Sequence, residues 1–346
     1  MMVSADNIAD RLARLIRTSG PIPVSTFMAE ANAHYYATRD PLGTAGDFIT
    51  APEISQMFGE LVGLWLADLW LRSGRPADAV YVELGPGRGT LAADALRAMR
   101  GAGLDPEAHF VETSPVLRAA QAERVPQAQW HGDVASLPAH RPLLIVANEF
   151  FDALPIRQLI ATRRGWHERL VTHTEAGFVP VPGPLIPAPL APAETGTVVE
   201  TSPASLGIAR ALAQRLVASG GAALVIDYGA TRSGVGETLQ AVSRHDYADP
   251  WQKPGSRDLT AHVDFEALAR AAAAEGVKVA GPRTQGEWLR AMGIDARAEV
   301  LARPAPDRAD EIETARSRLV DPDRMGKLFK ALALVSPAWP EPEGFA

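Results

Sequence analysis

The sequence predicts an α/β protein with a doubly wound sheet, and two observations lead to this fold class. Short continuous apolar runs alternate with helix-periodic stretches, which is typical of parallel strands buried on both faces. Four such runs have polar residues at or near their carboxyl ends, and they span 79–84, 109–112, 142–149 and 222–229. The carboxyl ends of parallel strands form the ligand crevice of an open sheet, so these polar residues are expected to converge. They are Glu83, Glu112, Asn148, Glu149 and Asp227.

Composition limits the classes of function. The chain has 346 residues, of which 47% are hydrophobic, and a formal net charge of -7, so it carries no overall basic field for nucleic acid. It has no cysteine, which excludes disulfides and thiolate metal sites.

No apolar run approaches the roughly 20 residues that span a bilayer, so no membrane insertion is expected. Residues 7–16 are helix-periodic, but Asp6 and Asp10 argue against a transit peptide, and a cytoplasmic location is expected.

Three regions are predicted along the chain. Residues 1–75 form a helical N-terminal segment that contributes to the site. Residues 76–156 and 206–346 form a Rossmann-like domain. Residues 157–205 form a Pro-rich insertion on the substrate side, with polyproline-like loops or irregular β structure. The alternative for this insertion is a solvated connector that binds no ligand.

A glycine-rich turn follows the first strand. Gly85, Gly87 and Gly89, with Pro86 between them, permit a tight turn into a helix and close approach of a ligand. Their spacing is G-x-G-x-G rather than the G-x-G-x-x-G of dinucleotide binders. Glu83 would repel a pyrophosphate, but it can hold the ammonium of a methionine group. The turn therefore favours S-adenosylmethionine over a nicotinamide cofactor.

Two further segments are predicted to bind adenosine. Glu112, followed by Thr113, ends the next strand, where a carboxylate can take both ribose hydroxyls. Asp133, followed by Val134, falls after the third strand, where an acid can accept from the adenine amino group. The alternative for Asp133 is a turn or helix N-cap aspartate.

Five segments together resemble the MidA-like methyltransferases, a family that includes the mitochondrial protein-arginine methyltransferase needed for assembly of respiratory complex I. They are 46–60, 83–91, 148–155, 258–265 and 325–330. Ala51 departs from this pattern, where a serine is expected, and residues 157–205 match it only loosely. The resemblance implies an S-adenosylmethionine-dependent methyltransferase that N-methylates arginine of a protein substrate, with a complex I-type assembly role.

Carboxylates are the expected catalytic groups. In-line methyl transfer requires alignment of the nucleophile, exclusion of water and removal of one proton. A guanidinium is cationic and is gripped by carboxylates. Glu149 and Asp152, with Asn148, leave the fourth strand beside the expected methyl position. The alternative is a strand-end loop whose acids cap the next helix.

Two other groups are secondary candidates. Asp47 and Glu53 could contribute carboxylates from the N-terminal loop, and Phe48 could exclude water; we place Asp47 and Phe48 with the cofactor-binding residues. His262 could act as a general base beside Asp264, although Asp264 could instead cap the following helix.

Three other functions remain open from the residues alone. They are a small-molecule methyltransferase, a non-catalytic assembly factor that retains the cofactor fold, and a nicotinamide dehydrogenase, which the glycine spacing disfavours. No metal is required by the predicted chemistry.

Overall fold

The computed structural model describes residues 7–38, 50–187, 190–243 and 246–345. The chain divides into two units. Unit 1 comprises Met1–Arg39, Asp152–Ser205 and Ser233–His262, and unit 2 comprises Asp40–Phe151, Leu206–Arg232 and Val263–Ala346.

The described elements are given in chain order. The helices are α1 (Ile8–Ser19), α2 (Val24–Thr38), α3 (Ala51–Ile54), α4 (Gln56–Arg72), α5 (Thr90–Gly101), α6 (Pro115–Arg124), α7 (Pro203–Ser219), α8 (Phe265–Ala273), α9 (Gln285–Ala291), α10 (Ile294–Ala302), α11 (Ala309–Val320) and α12 (Met325–Leu328). The strands are β1 (Ile22–Pro23), β2 (Val80–Leu84), β3 (Glu107–Val111), β4 (Gln129–His131), β5 (Leu143–Asn148), β6 (Arg157–Thr162), β7 (Gly165–Thr174), β8 (Gly177–Leu185), β9 (Val198–Thr201), β10 (Gly221–Ala230), β11 (Gln240–Ser243), β12 (Asp246–Ala248), β13 (Asp258–Thr260), β14 (Val263–Asp264), β15 (Lys278–Thr284) and β16 (Phe329–Val335).

A mostly parallel sheet forms the centre of unit 2. Its order is β15-β16-β10-β5-β2-β3-β4, with β14 on β10. The strands from β10 to β4 are parallel, and β16 is antiparallel to both of its neighbours. Every residue of β2 and β5 is buried, as their continuous apolar runs predict. The predicted α/β fold with a doubly wound sheet is confirmed.

Helices α4 and α5 pack closely within the core of unit 2. A Cβ built on Gly63 would lie 2.4 Å from the carbonyl oxygen of Ala95, so only glycine permits this approach. The same core buries Phe58, Trp65 and Phe110. This packing fixes α5, which begins at the glycine-rich turn.

Unit 1 combines helices α1 and α2 with antiparallel strands. One sheet has the order β1-β7-β6-β9, with β8 on β7, and another has the order β12-β11-β13. Phe27 of α2 lies 5.4 Å from Phe178 of β8 and 5.7 Å from Trp251, measured between ring centroids. These contacts anchor α2 to β8 and to the turn that carries Trp251.

The segment 157–205 contains regular strands where the sequence led us to expect polyproline-like loops or irregular β structure. Hairpin turns at Gly165 (φ 119°) and Gly177 (φ 103°) join β6, β7 and β8. Pro180 and Pro182 are two residues apart in β8, so their nitrogens lie on the same side of the strand, and Pro184 lies in the β-bulge between Pro182 and Leu185. Among the described strands β8 pairs only with β7, so that side can be the free edge, which is where a sheet tolerates proline.

The N-terminal helices of the described chain fall in both units, since α1 and α2 belong to unit 1 and α3 and α4 to unit 2. Within the described ranges, no helix is both long and apolar enough to cross a bilayer.

Candidate active site

The glycine-rich turn connects β2 to α5 in unit 2. Gly85, Gly87 and Gly89 have φ angles of 61°, 54° and 80°, in the left-handed region that favours glycine. The amide of Gly85 donates to the carbonyl of Val111 at 3.0 Å, which ties the turn to β3. Pro86 accepts a hydrogen bond from the amide of Gly89 at 2.8 Å. The turn therefore has the tight geometry that the sequence predicts.

Glu83 lies at the end of β2 beneath this turn. Its side chain is buried, and its Oε2 accepts a hydrogen bond from the hydroxyl of Tyr81 at 2.6 Å. Burial raises the pKa of Glu83 to about 7, and the hydrogen bond from Tyr81 limits that rise. Tyr81 is its one donor among the described residues, and a buried carboxylate of this kind is a strong site for a ligand ammonium.

Glu112 follows β3 at the same edge of the sheet. Its Oε1 accepts from the amides of Thr113 at 2.8 Å and Ser114 at 2.7 Å. Burial raises the pKa of Glu112, and these two amides limit the rise. Its Oε2 accepts one longer hydrogen bond, from Gln121 at 3.3 Å, and so retains capacity for a ligand hydroxyl.

Gln121 of α6 is a residue that the sequence analysis missed. It is fully buried and contacts the carbonyl of Gly87, the side chain of Glu112 and the side chain of Trp130. A glutamine within a helix gives no sequence signal of this kind, because most such glutamines are exposed.

Asp133 lies in the exposed turn after β4. Its Oδ1 accepts from the amide of Ser136 at 2.8 Å, and hydrogen bonds from Ser136 lower the pKa of Asp133. This is the turn aspartate that the sequence left as an alternative. Val134 beside it is buried. The adenine role of both residues stays a prediction.

Asn148 and Glu149 lie at the carboxyl end of β5. Oε1 of Glu149 accepts from the amide of Ala51 and from Nδ2 of Asn148, both at 3.3 Å. Ala51 thus serves through its backbone, so no side-chain hydroxyl is needed for this contact. Glu149 has a φ of 50°, a left-handed conformation that costs free energy and is concentrated at functional sites. Among the described residues, the buried Oδ1 of Asn148 has no hydrogen-bond partner.

Asp227 of β10 holds the turn that follows Glu149. Its buried Oδ2 accepts from the amides of Phe150 at 3.2 Å and Phe151 at 3.0 Å. The amide of Glu149 donates to the carbonyl of Ile226 at 2.9 Å. These contacts support the left-handed backbone of Glu149.

Asp152 begins the second stretch of unit 1. Its backbone carbonyl accepts from the amide of Ala261 at 3.0 Å. Burial raises the pKa of Tyr36, and the carboxylates of Asp258 and Asp152 raise it further. The hydroxyl of Tyr36 donates to Asp258 at 2.7 Å. A catalytic role for Asp152 stays a prediction.

His262 is exposed in unit 1, and its amide donates to Oγ1 of Thr238 at 2.9 Å. Thr238 in turn donates its amide to Glu200 of β9 at 3.0 Å, and its hydroxyl donates to the same carboxylate. Glu200 also accepts from Gln158 at 2.7 Å. The segment 157–205 thus holds Thr238, and Thr238 in turn holds the backbone of His262, a link that the sequence did not predict.

The other candidates fall in three places. Asp264 accepts from the amide of Ala267 at 2.9 Å and caps α8, as the alternative interpretation predicted. Glu53 of α3 accepts from the hydroxyl of Thr90 at 2.5 Å, at the start of α5. Asp47 and Phe48 lie outside the described residues.

The residues of unit 2 fit S-adenosylmethionine. The left-handed glycines leave room for a ligand at the turn, and Glu83 offers a buried carboxylate for its ammonium. Oε2 of Glu112 can accept a ribose hydroxyl.

Comparisons with known proteins agree with this assignment. A model of an S-adenosyl-L-methionine-dependent methyltransferase family matches residues 61–283. The chain is 38% identical over 372 residues to the mitochondrial protein arginine methyltransferase NDUFAF7 homolog of Drosophila melanogaster, covering 95% of this chain and 84% of that protein. It is 36% identical over 362 residues to human mitochondrial protein arginine methyltransferase NDUFAF7, covering 92% and 81%.

A solved structure from Burkholderia thailandensis, bound to S-adenosyl-homocysteine, is also similar. It shares 28% identity with a TM-score of 0.86, over 99% of this chain and 97% of that chain. The cofactor predicted from the glycine spacing is confirmed.

The expected cytoplasmic location is wrong. The relatives from Drosophila melanogaster, Xenopus tropicalis and human are all named mitochondrial proteins. Acids near the start of the chain therefore do not decide the compartment.

The matched family model, the identity to these relatives and the geometry of the glycine-rich turn lead to one conclusion: the chain belongs to this family of S-adenosylmethionine-dependent methyltransferases.

Proposed function

We propose that this methyltransferase N-methylates the arginine side chain of a protein substrate, with an assembly role of the respiratory complex I type. The proposal is supported by the names of the relatives, which are protein arginine methyltransferases. The observation that carries it is the pair Asn148 and Glu149 at the end of β5. Together they offer a carboxylate and a buried amide oxygen that can accept from N–H groups.

The cofactor is held by residues of unit 2 in this proposal. Glu83 pairs with the ammonium in the methionine part of the cofactor, and Glu112 accepts from the ribose hydroxyls. Asp133 and Val134 lie at the adenine. When bound, S-adenosylmethionine supplies a methyl group on a positively charged sulfur.

The protein's own residues orient the guanidinium and manage its proton. Oδ1 of Asn148 accepts one guanidinium N–H, and the carboxylate of Glu149 accepts another. The guanidinium is not deprotonated beforehand, because its pKa is above about 12. The bound cofactor would give its methyl group to the nitrogen and leave as S-adenosylhomocysteine. Because the guanidinium keeps its protons until then, the proton would leave the nitrogen late, toward the Glu149 carboxylate. Asp227 maintains this alignment through the amides of Phe150 and Phe151.

The test has two measurements. The first is the rate of transfer of a tritiated methyl group to protein in a cell extract, expressed as kcat. The second is the affinity for S-adenosylhomocysteine. Glu149→Gln is expected to lower kcat about 100-fold, the typical contribution of a positioned acid–base group. Asn148→Ala is expected to lower kcat by a similar factor, because it removes one of the two acceptors that orient the guanidinium. Affinity for S-adenosylhomocysteine should stay within about threefold, since neither residue is assigned to the cofactor.

Glu107→Gln is the matched control, because Glu107 is an exposed acid at the opposite end of β3. It is expected to retain full activity. Unchanged kcat in both site variants would contradict the catalytic assignment, and label recovered only in small molecules would contradict a protein substrate.

A further inference from the structure

The side chain of Gln121 connects three parts of the cofactor site. Its Nε2 donates to the carbonyl of Gly87 at 2.8 Å and to Oε2 of Glu112 at 3.3 Å. Its Oε1 accepts from Nε1 of Trp130 at 2.8 Å. The residue is fully buried, so all three contacts are made away from solvent.

The orientation of this amide is determined by its partners. Trp130 Nε1 can only donate, and the carbonyl of Gly87 can only accept. A flipped amide would place its oxygen against the carbonyl of Gly87 and the carboxylate of Glu112. Each flipped contact is repulsive, so Nε2 faces the glycine-rich turn and Glu112.

Helix α6 holds Gln121 at this position. Its N-terminus is capped by Ser114, whose Oγ accepts from the amide of Leu117 at 3.3 Å. Nε of Arg118 donates to the carbonyl of Glu112 at 2.8 Å, and its guanidinium also reaches the carbonyl of His131 at 3.2 Å. The helix is therefore fixed to the ends of both β3 and β4.

The contact with Glu112 selects which oxygen is available to a ligand. Oε1 already accepts two backbone amides, whereas Gln121 is the only donor to Oε2 among the described residues. Because a carboxylate oxygen accepts about two hydrogen bonds, Oε2 can take one more. Gln121 thus fixes the direction of the Glu112 carboxylate and leaves one acceptor position on Oε2 for a ribose hydroxyl.

We propose that Gln121 is a positioning residue of the cofactor site, which joins the glycine-rich turn to the ribose carboxylate so that both are set before the cofactor binds. The inference rests on the assignment of Glu112 to the ribose and is independent of the arginine substrate. It predicts that Gln121 acts on cofactor affinity through Glu112.

A double-mutant cycle tests this coupling, with S-adenosylhomocysteine titrated by calorimetry against wild type, Glu112→Ala, Gln121→Met and the double variant. Methionine keeps the length of the side chain and removes its polar atoms. We expect Gln121→Met to lose about tenfold or more in affinity, the usual effect of removing a hydrogen bond to a charged group. The double variant should lose less affinity than the two single losses combined, because the contact between Gln121 and Glu112 is already absent in each single variant. Any loss beyond that of Glu112→Ala measures the contact of Gln121 with Gly87.

Arg124→Ala is the matched control, because exposed Arg124 lies on the same helix and reaches the carbonyl of Arg88 in the same turn at 3.4 Å. Its affinity should stay within about twofold of wild type. Cooperative thermal unfolding verifies that each variant is folded. If Gln121→Met does not fold, the cycle is run with Gln121→Glu, which keeps an acceptor for Trp130 and places a second carboxylate against Glu112.

Wild-type affinity of the folded Gln121 variant would overturn the proposal, as would losses that simply add in the double variant. Full affinity of Glu112→Ala would remove the ribose assignment and the proposal with it. None of these results depends on methyl transfer, so failure of the proposed arginine activity is detected separately.

Discussion

We expect affinity for S-adenosylhomocysteine to fall about tenfold when the pH is lowered from 8 to 6. The ligand has an ammonium, and in our assignment that ammonium pairs with the carboxylate form of Glu83. Burial raises the pKa of Glu83 to about 7. The carboxylate fraction in the free protein is therefore about nine-tenths at pH 8, half at pH 7 and one-tenth at pH 6.

The groups around Glu83 define the control variants. In register with Glu83 lie Phe110 of β3 and Val146 of β5, which are apolar, while Tyr81 on its own strand donates to it. Tyr81→Phe removes the donor that stabilises the carboxylate, so the pKa of Glu83 rises and the midpoint of the affinity profile moves to higher pH. Glu83→Gln should bind weakly and show no midpoint near pH 7.

Calorimetric titration at pH 6, 7 and 8 measures this profile. Above about pH 8 the ligand's own amino group begins to lose its proton, so the measurement stops there. Equal affinity at pH 6 and pH 8 in the wild type would refute the pairing of Glu83 with the ammonium. A midpoint that is unchanged in Glu83→Gln would assign the titration to another group.

Stability should depend on the same carboxyl group. Its folded pKa lies above the unfolded value, so its contribution is fully present below about pH 4.5 and is lost as the pH rises through 7. The ionised form costs up to about 3 kcal/mol at pH 8, from the difference between the two pKa values. Glu83→Gln is therefore expected to raise Tm relative to wild type at pH 8 and to change it little at pH 5.

Three further variants test separate parts of the site: two glycine substitutions separate backbone strain from ligand binding, and one substitution at Thr238 tests His262. Gly85→Ala and Gly103→Ala each place a side chain in the left-handed region, which should cost about 1–2 kcal/mol of folding stability. Only the new Cβ at position 85 would lie close to another side chain, 3.0 Å from Phe150. Denaturant unfolding should give a loss for Gly85→Ala at least as large as that for Gly103→Ala, whereas ligand titration should show lost affinity for Gly85→Ala alone. Equal affinities would contradict a role for the turn. Thr238→Val removes the acceptor of the His262 amide. We expect it to lower kcat and to leave the cofactor affinity unchanged. An unaltered kcat would argue against a catalytic His262.

The strands and the glycine-rich turn were predictable from the sequence for a physical reason. Strands β2 and β5 are buried on both faces, so each is a continuous apolar run that is visible without alignment. The turn needs three left-handed residues, and glycine is the residue that adopts this conformation at little cost. Both signals are local in sequence.

The contacts that shape the site were not predictable, because they join distant segments. Gln121 contacts Gly87, 34 residues away, and nothing near it in sequence indicates burial. The strands of 157–205 were obscured by prolines that an edge strand tolerates. The hydrogen bond from Ala51 to Glu149 uses a backbone amide, so the side chain at position 51 carried no information about it.

The most direct test of the account is to identify the methylated residue. The wild type and Glu149→Gln are each incubated with extract protein and S-adenosylmethionine that carries a trideuterated methyl group, and labelled peptides are sequenced by mass spectrometry. We expect label on arginine nitrogen with the wild type and about 100-fold less label with Glu149→Gln. Label on another side chain, or equal labelling by the two proteins, would contradict it.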